Sequence, residues 1–138
     1  MIVQPYLNYD GRCEEAVEHY KKAVGAVVEL MMRCKDAPLE PGQKISPGSD
    51  DKILHVSFRI GDSVLMASDG YNKGAAEFKG VALSITARDA NEAKRIFDGL
   101  SSGGKATMPL QETFYSPCFG MLEDKFGMGW MVIVQPKK

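Results

Sequence analysis

The stretches CEEAVEHYKKAV, residues 13–24, and ANEAKRIFDGL, residues 90–100, decide the fold. Apolar residues recur three and four positions apart in both, which predicts two helices that each bury one face. The second helix begins with a capping signal, Asp89 followed three residues later by Glu92. The two stretches also match each other, because Glu92-Ala93 and Phe97 each lie 77 positions after Glu15-Ala16 and Tyr20. This constant offset indicates an internal repeat of two modules.

Short apolar segments surround each helix in the same order. We predict strands at 3–9, 26–32, 54–60 and 64–67 in the first half, and at 81–86, 106–108, 119–122 and 130–134 in the second. Long loops are predicted at 35–51 and 108–118. The prediction is one α+β domain over residues 1–138, with module 1 at about 1–69, a linker at about 70–79 and module 2 at about 80–138. Neither module would bury its apolar face alone, so the two would share one sheet surface.

Composition excludes several classes of protein. The chain has 138 residues, 44% of them apolar, and 17 basic against 18 acidic residues give a net charge of −1. No basic patch suggests nucleic acid, and no apolar run reaches the roughly 20 residues of a membrane helix. The N-terminus lacks the features of a signal peptide. The three cysteines, Cys13, Cys34 and Cys118, form no disulfide framework. We therefore expect a cytoplasmic protein with reduced thiols.

Several short motifs follow one another along almost the whole chain: Pro5-Tyr6-Leu7 with Asp10-Gly11, Glu15-Ala16 with Tyr20, His55, Leu65-Met66-Ala67-Ser68-Asp69, Glu112-Thr113-Phe114-Tyr115 with Phe119-Gly120, and Asp124-Lys125-Phe126-Gly127 leading to Trp130-Met131. Together with the repeated βαβββ order, they resemble the PhnB-like branch of the vicinal-oxygen-chelate superfamily, which includes glyoxalases, bleomycin-resistance proteins and extradiol dioxygenases. The resemblance implies a glyoxalase-like fold, with a curled mixed or antiparallel sheet cup and one helix packed on each module. It also implies a homodimer.

Members of this branch are often described as ubiquinone-pathway methyltransferases. The sequence does not support that activity, because it has no glycine-rich strand-to-helix turn for a nucleotide-type cofactor. We expect no cofactor.

The resemblance also implies a divalent metal in the cup, held by His or Glu at four strand positions. Strand alternation assigns these positions to Gln4 (or Pro5 after a one-residue shift), Met66, Gly80 and Met131. Glycine and proline offer no side-chain ligand, and thioethers suit Cu(I) rather than the metals that this chemistry uses. We therefore expect no metal at the usual site.

The same alternation predicts a polar set facing the cup: Tyr6, Asn8, His55, Ser57, Arg59, Ser68 and Asp69. On the strand of residues 54–60, Leu54, Val56, Phe58 and Ile60 would face the helix instead. His55 is either a hydrogen-bonded structural residue or a ligand-binding group, with general base as a weaker reading. Arg59 either binds an anion or pairs with Asp62 or Asp69. Phe114 and Trp130 are interpreted as core or dimer contacts rather than stacking platforms, and the Glu123-Asp124 pair as a solvated turn.

Three functions remain compatible with the sequence. The first is metal-free binding of a small polar or anionic molecule in the cup. The second is a lyase, isomerase or dioxygenase that uses His55 as a base or an unorthodox metal. The third is a resistance-type protein that sequesters a planar drug at the dimer groove.

Overall fold

A computed structural model describes residues 1–38, 41–42, 51–70 and 76–136 of the chain. The chain folds as two compact units, Met1–Lys21 with Gly25–Ala76, and Lys22–Val24 with Glu77–Lys138. The linker expected at about 70–79 lies partly outside the described residues, as do most of the loop predicted at 35–51 and the tail Lys137-Lys138. No helix in these four ranges is long and apolar enough to cross a membrane.

The first unit contains a four-stranded sheet and one helix, whose last residues, Lys22–Val24, group with the second unit. Its elements are β1 (Tyr6–Asn8), α1 (Cys13–Val24), β2 (Val27–Arg33), a short 3-10 turn (Cys34–Asp36), β3 (Ile53–Ile60) and β4 (Ser63–Ser68). The strand order is β1-β4-β3-β2, with β1 parallel to β4 and the other pairs antiparallel.

The second unit repeats this plan. Its elements are β5 (Ala82–Ala87), α2 (Ala90–Ser101), β6 (Lys105–Gln111), β7 (Cys118–Glu123) and β8 (Gly129–Val134). The order β5-β8-β7-β6, with β5 parallel to β8, is the same as in the first sheet. Two mixed sheets with one helix each confirm the predicted fold class.

Helix α1 has the predicted bounds. It ends because Gly25 adopts a left-handed conformation (φ 70°), and the Gly25 N–H donates to the Lys21 carbonyl. Its buried stripe packs on the sheet through Tyr20, whose ring stacks 6.2 Å from that of Phe58. The hydroxyls of Tyr9 and Tyr20 are hydrogen-bonded at 2.8 Å, so both buried phenols are satisfied.

Helix α2 begins at the predicted cap. The Asp89 carboxylate accepts the Glu92 N–H at 2.8 Å, and the Glu92 carboxylate accepts the Arg88 N–H at 3.1 Å. The helix then buries Ala93, Ile96, Phe97 and Leu100. Gly120 on β7 provides the space beneath it, since a Cβ there would lie 2.8 Å from the Phe97 ring.

Two strand predictions were wrong in extent. Strand β6 continues to Gln111, where a loop from Met108 was predicted. Its register shifts between Met108 and Gln111, a stretch that contains Pro109, whose missing N–H cannot join a regular ladder. Strand β1 is only three residues long, and Val3 before it is 93% exposed. Val81, predicted to face the helix, precedes β5 and is 61% exposed.

Candidate functional site

The sheet of the first unit has one buried face and one open face. On β3, Val56 and Phe58 are fully buried, while His55 and Ser57 are half-buried and Arg59 is exposed. Leu54 departs from the prediction, because it is half-buried and Ile53 is buried instead. A register shift opposite this point, between Met32 and Arg33 on β2, interrupts the alternation.

The open face carries most of the side chains that the sequence predicted for the cup. We call it the first-sheet face and define it by Tyr6, Asn8, His55, Ser57, Arg59, Met66 and Ser68. Met66 lies at its centre, paired with Tyr6 on one side and with Ser57 on the other.

Tyr6 and His55 meet on this face. The Tyr6 hydroxyl lies 3.1 Å from His55 Nδ1, and the ring centroids are 5.6 Å apart. Tyr6 remains 45% exposed, so the pair is accessible rather than enclosed in the core. Sequence alternation placed both residues on one face, but it did not predict this contact.

A second polar group lies at the end of β4. Ser68 is buried, and its hydroxyl donates to the Asn8 side-chain oxygen at 2.9 Å and accepts the Gly70 N–H at 3.1 Å. Gly70 has φ +73°, and a Cβ there would lie 3.2 Å from the Asn8 side chain. These bonds fix the strand ends, while the Asn8 side chain stays largely exposed.

Asp69 points elsewhere. Its buried carboxylate accepts the Cys13 N–H at 2.9 Å and the Ile53 N–H at 2.6 Å. It therefore ties the start of α1 to the start of β3, because Arg12 at the helix cap offers no side-chain acceptor. Within the described ranges no ion pair joins Arg59 to Asp62 or Asp69, and the Arg59 side chain is exposed.

The four positions assigned to the superfamily metal have no suitable donor set. Gln4 and Gly80 precede their strands, and the register places Tyr6 beside Met66 and Ser84 beside Met131. In the part of the chain that the structure describes, no group of three or more His, Cys, Asp or Glu side chains could hold a metal ion. A hydroxyl and a thioether do not replace imidazole or carboxylate for a borderline divalent metal. The residues present do not fit the implied metal.

The corresponding face of the second sheet is mainly apolar. Met131 on β8 pairs with Met121 on β7 and with Ser84 on β5, and Ile133 pairs with Phe119. The second sheet contains no histidine, so its open face lacks the imidazole that the first-sheet face has.

The second unit also contains a cleft of about 570 Å³ that the sequence did not predict. We call it the Phe114 cleft; it is lined by residues 88–90, 112–117 and 134–136. Phe114 is 100% exposed, so its interpretation as a core residue was wrong. The Glu112-Thr113-Phe114-Tyr115 motif was the available signal, but a loop motif does not say which side chain faces solvent.

The interpretation of Glu123-Asp124 as a solvated turn was also wrong for Asp124. This residue is 2% exposed, and its carboxylate accepts the N–H groups of Phe126 and Met128 and the indole N–H of Trp130. It holds the β7–β8 turn together and leaves Trp130 buried.

The repeated βαβββ units and their open sheet faces define a protein of the vicinal-oxygen-chelate class. The chain belongs to the PhnB-like family, because the family model described as 3-demethylubiquinone-9 3-methyltransferase matches residues 2–133. The described turns into α1 and α2, at 9–12 and 88–89, are not glycine-rich loops of the kind that bind nucleotide cofactors.

Similar proteins agree with this assignment. Protein YjdN of Escherichia coli (strain K12) is 34% identical over 142 residues, which cover 97% of this chain and 95% of YjdN. The crystal structure of protein PA1353 from Pseudomonas aeruginosa has a TM-score of 0.87 at 34% identity and covers 99% of both chains. The fosfomycin resistance protein FosX from Listeria monocytogenes shares the fold at 6% identity, with a TM-score of 0.68 and coverage of 99% of this chain and 94% of FosX.

Proposed function

We propose that this chain is a metal-independent binding protein that takes a small polar or anionic molecule on the first-sheet face. The hydrogen-bonded Tyr6–His55 pair carries the proposal, because it is accessible and stands on a sheet face rather than in the core. Asp69 is not part of the proposed site, since both of its oxygens are occupied by backbone N–H groups.

Donor chemistry favours an anion or a ligand rich in acceptor atoms. When the Tyr6 hydroxyl donates to Nδ1, neutral His55 carries its proton on Nε2, and that N–H is then a donor toward a ligand. The Ser57 hydroxyl and the Arg59 guanidinium add donors along the same strand face. Together they form a strip of donors beside the apolar Met66 side chain.

The spacing of this strip limits the size of the ligand. The Cα atoms of alternate residues in a strand are about 6.6 Å apart. The Cα atom of Arg59 therefore lies about 13 Å from that of His55 and about 6.6 Å from that of Ser57. A molecule of a few atoms contacts His55, Tyr6 and Ser57 only. A ligand that also reaches Arg59 needs an anionic group about 10 Å or more from its acceptor at His55.

The test is a two-dimensional amide NMR titration of the full chain with inorganic phosphate, succinate, citrate and, as a neutral comparison, glycerol. We expect saturable shifts at Tyr6, His55 and Ser57 with at least one anion and none with glycerol. His55→Ala should abolish them, while Arg95→Ala, which removes an exposed arginine on α2, should not. Absence of saturable shifts on the first-sheet face, or shifts that survive His55→Ala, would refute the site.

Metal independence has its own measurement. Elemental analysis of untagged protein should find far less than one Zn, Ni, Mn or Fe per chain, and EDTA should leave the anion titration unchanged. A stoichiometric metal would contradict this part of the proposal and favour the metal-dependent alternative. A different outcome would identify His55 as a catalytic base: in deuterated solvent, a C–H proton signal of the ligand disappears with the wild-type protein but persists with His55→Ala.

We also propose that the protein is a homodimer of the cytoplasm. Strand β2 is an edge of the first sheet and exposes Val27 (49%) and Leu30 (50%), which suits contact with a second copy. The three cysteines are unpaired, which suits a reducing compartment. Sedimentation velocity should give a dimer that Leu30→Lys weakens; a monomer at micromolar concentration would contradict it. Cell fractionation tests the location.

A further inference from the structure

We propose that the Phe114 cleft is a second binding site and that it takes a planar organic cation. The cleft lies entirely within residues 88–136 of the second unit, so it is separate from the first-sheet face and does not depend on the function proposed for that face. Three features of the cleft support the proposal: an ordered loop, an exposed pair of aromatic rings and a carboxylate that forms no ion pair with the other described residues.

The loop that presents Phe114 is held in one shape. The Thr113 hydroxyl accepts the N–H groups of Tyr115 and Ser116, and the Thr113 N–H donates to the Ser116 carbonyl at 2.9 Å. Ser116 is 3% exposed, and its hydroxyl lies 2.6 Å from the Val134 carbonyl and accepts the Cys118 N–H at 3.1 Å. These bonds fix the loop to the ends of β7 and β8. Phe114 is therefore exposed on an ordered scaffold.

The exposed rings suit a flat ligand. Phe114 is 100% exposed and Tyr115 42% exposed, and their rings meet edge to face at 5.0 Å. Tyr115 in turn packs edge to face on the buried Phe119 at 5.4 Å, which anchors the pair. A planar molecule that covers Phe114 removes apolar surface from water, and the face of an aromatic ring attracts positive charge.

The charged side chains around the cleft favour one sign of charge on the ligand. The Arg88 guanidinium is paired with Glu92 at 2.8 Å, and Asp89 is occupied as the cap of α2. These carboxylates also offset the positive end of the helix. Glu112 is exposed and, among the residues that the structure describes, forms no ion pair. Among the residues that the structure describes, the charge of the cleft left without an ion-pair partner is therefore negative, which favours a cation over an anion.

The size of the cleft agrees with this class of ligand. A volume of about 570 Å³ lies within the range of small-molecule sites, about 300–1,000 Å³. A fused two-ring cation can stack on Phe114 while its charged nitrogen faces Glu112.

The test compares three two-ring probes that differ in charge: 1-methylquinolinium, 2-naphthol and naphthalene-2-sulfonate. Each is titrated into the full-length protein and followed by two-dimensional amide NMR. We expect the cation to bind tightest, with saturable shifts at Ala90, Phe114–Ser116 and Gln135, and the sulfonate to bind weakest. Equal or tighter binding of the sulfonate, shifts confined to other residues, or no saturation by the cation would overturn the proposal.

Variants separate the contributions of ring and charge. Phe114→Ala should weaken 1-methylquinolinium binding about tenfold. Phe114→Leu should retain 2-naphthol binding but reduce the preference for the cation, because the ring face is lost while Glu112 remains. Glu112→Gln should also reduce the difference between cation and neutral probe, whereas Glu77→Gln, an exposed control outside the cleft, should not. An unchanged cation affinity in Phe114→Ala would refute the site, as would a shift from dimer to monomer in that variant together with no cation binding.

Discussion

Replacing Asp69 tests whether this carboxylate belongs to the framework or to the ligand site. Asp69→Ala removes the acceptor for both the Cys13 and the Ile53 N–H groups, and Asp69 is only 6% exposed. Hydrogen bonds to a charged group contribute about 1.5–3 kcal/mol each, so the variant should lose about 3–6 kcal/mol of unfolding free energy. For a chain of this size the melting temperature should fall by roughly 10–20 °C.

Two further variants give this experiment its controls. Asp69→Asn keeps one acceptor oxygen but turns an amide N–H₂ toward the second backbone donor, so it should lose about half as much stability. Asp62→Ala, in the exposed β3–β4 turn, should change the melting temperature by about 2 °C or less. Circular dichroism melts measure all three. If Asp69→Ala melts like the wild type but loses anion binding on the first-sheet face, Asp69 is a ligand residue and the structural assignment is wrong.

Three other perturbations follow from single contacts. Gly104→Ala should lower the free energy of unfolding in urea by about 2 kcal/mol or more, because the added Cβ would lie 2.1 Å from the Glu123 carbonyl oxygen. The control Gly129→Ala, whose Cβ would lie 3.6 Å from its nearest neighbour, should lower it by about 1 kcal/mol or less. Equal losses in the two variants would contradict the Gly104 contact. Burial, helped by Asp69 and Glu14, raises the pKa of Cys13 to about 12 from 9.0, so the folded state keeps its thiol neutral and stability falls as pH rises from 9 towards 12. Cys13→Ala should make that fall shallower, by up to about 4 kcal/mol, and parallel curves would refute it. The hydrogen bond from Arg33 lowers the pKa of Glu14, so this pair stabilises the fold above pH 4.5 and its effect is lost as pH falls below it. Glu14→Gln should therefore melt lower than wild type at pH 7 but not at pH 2, and about 0.5 M salt should shrink the difference, since half of the Glu14 side chain is exposed.

The fold was predictable because local signals and tertiary structure agree. The apolar stripe of residues 13–24 ends at a glycine that adopts the left-handed conformation, and Asp89 caps α2 as its spacing with Glu92 indicated. The errors fall where local patterns carry little information. Pro109 reads as a strand breaker, yet β6 accommodates it with a register shift. The three-residue β1 is defined by its pairing with β4, which no local pattern encodes.

The candidate site was predictable only in part, for a related reason. Alternation identifies which residues share a face, and it placed Tyr6, His55 and Met66 together correctly. It does not tell which polar side chains are occupied by the backbone. Asp69 and Asp124 both read as available carboxylates, but each is buried and saturated by N–H donors. The partners of Asp69 lie up to 56 residues away in sequence, so only tertiary structure reveals them. Those of Asp124 lie within six residues, but the sequence does not show that the turn is buried.

The unequal open faces of the two sheets bear on how a duplicated fold recognises ligands. Matching strand pairs place Tyr6 beside Met66 in the first sheet and Ser84 beside Met131 in the second, so both centres are thioethers. The first-sheet face carries the imidazole of His55 and the guanidinium of Arg59, while the second unit exposes Phe114 in a cleft that Glu112 also lines. A symmetric metal site needs equivalent donors from both modules, and this chain has none at those positions. Under the proposed metal independence, the two halves are free to differ. An anion on the first-sheet face and a cation in the Phe114 cleft should therefore bind without competing, and joint saturation by succinate and 1-methylquinolinium in one NMR sample tests this; displacement of one by the other would show that the two halves share a single site.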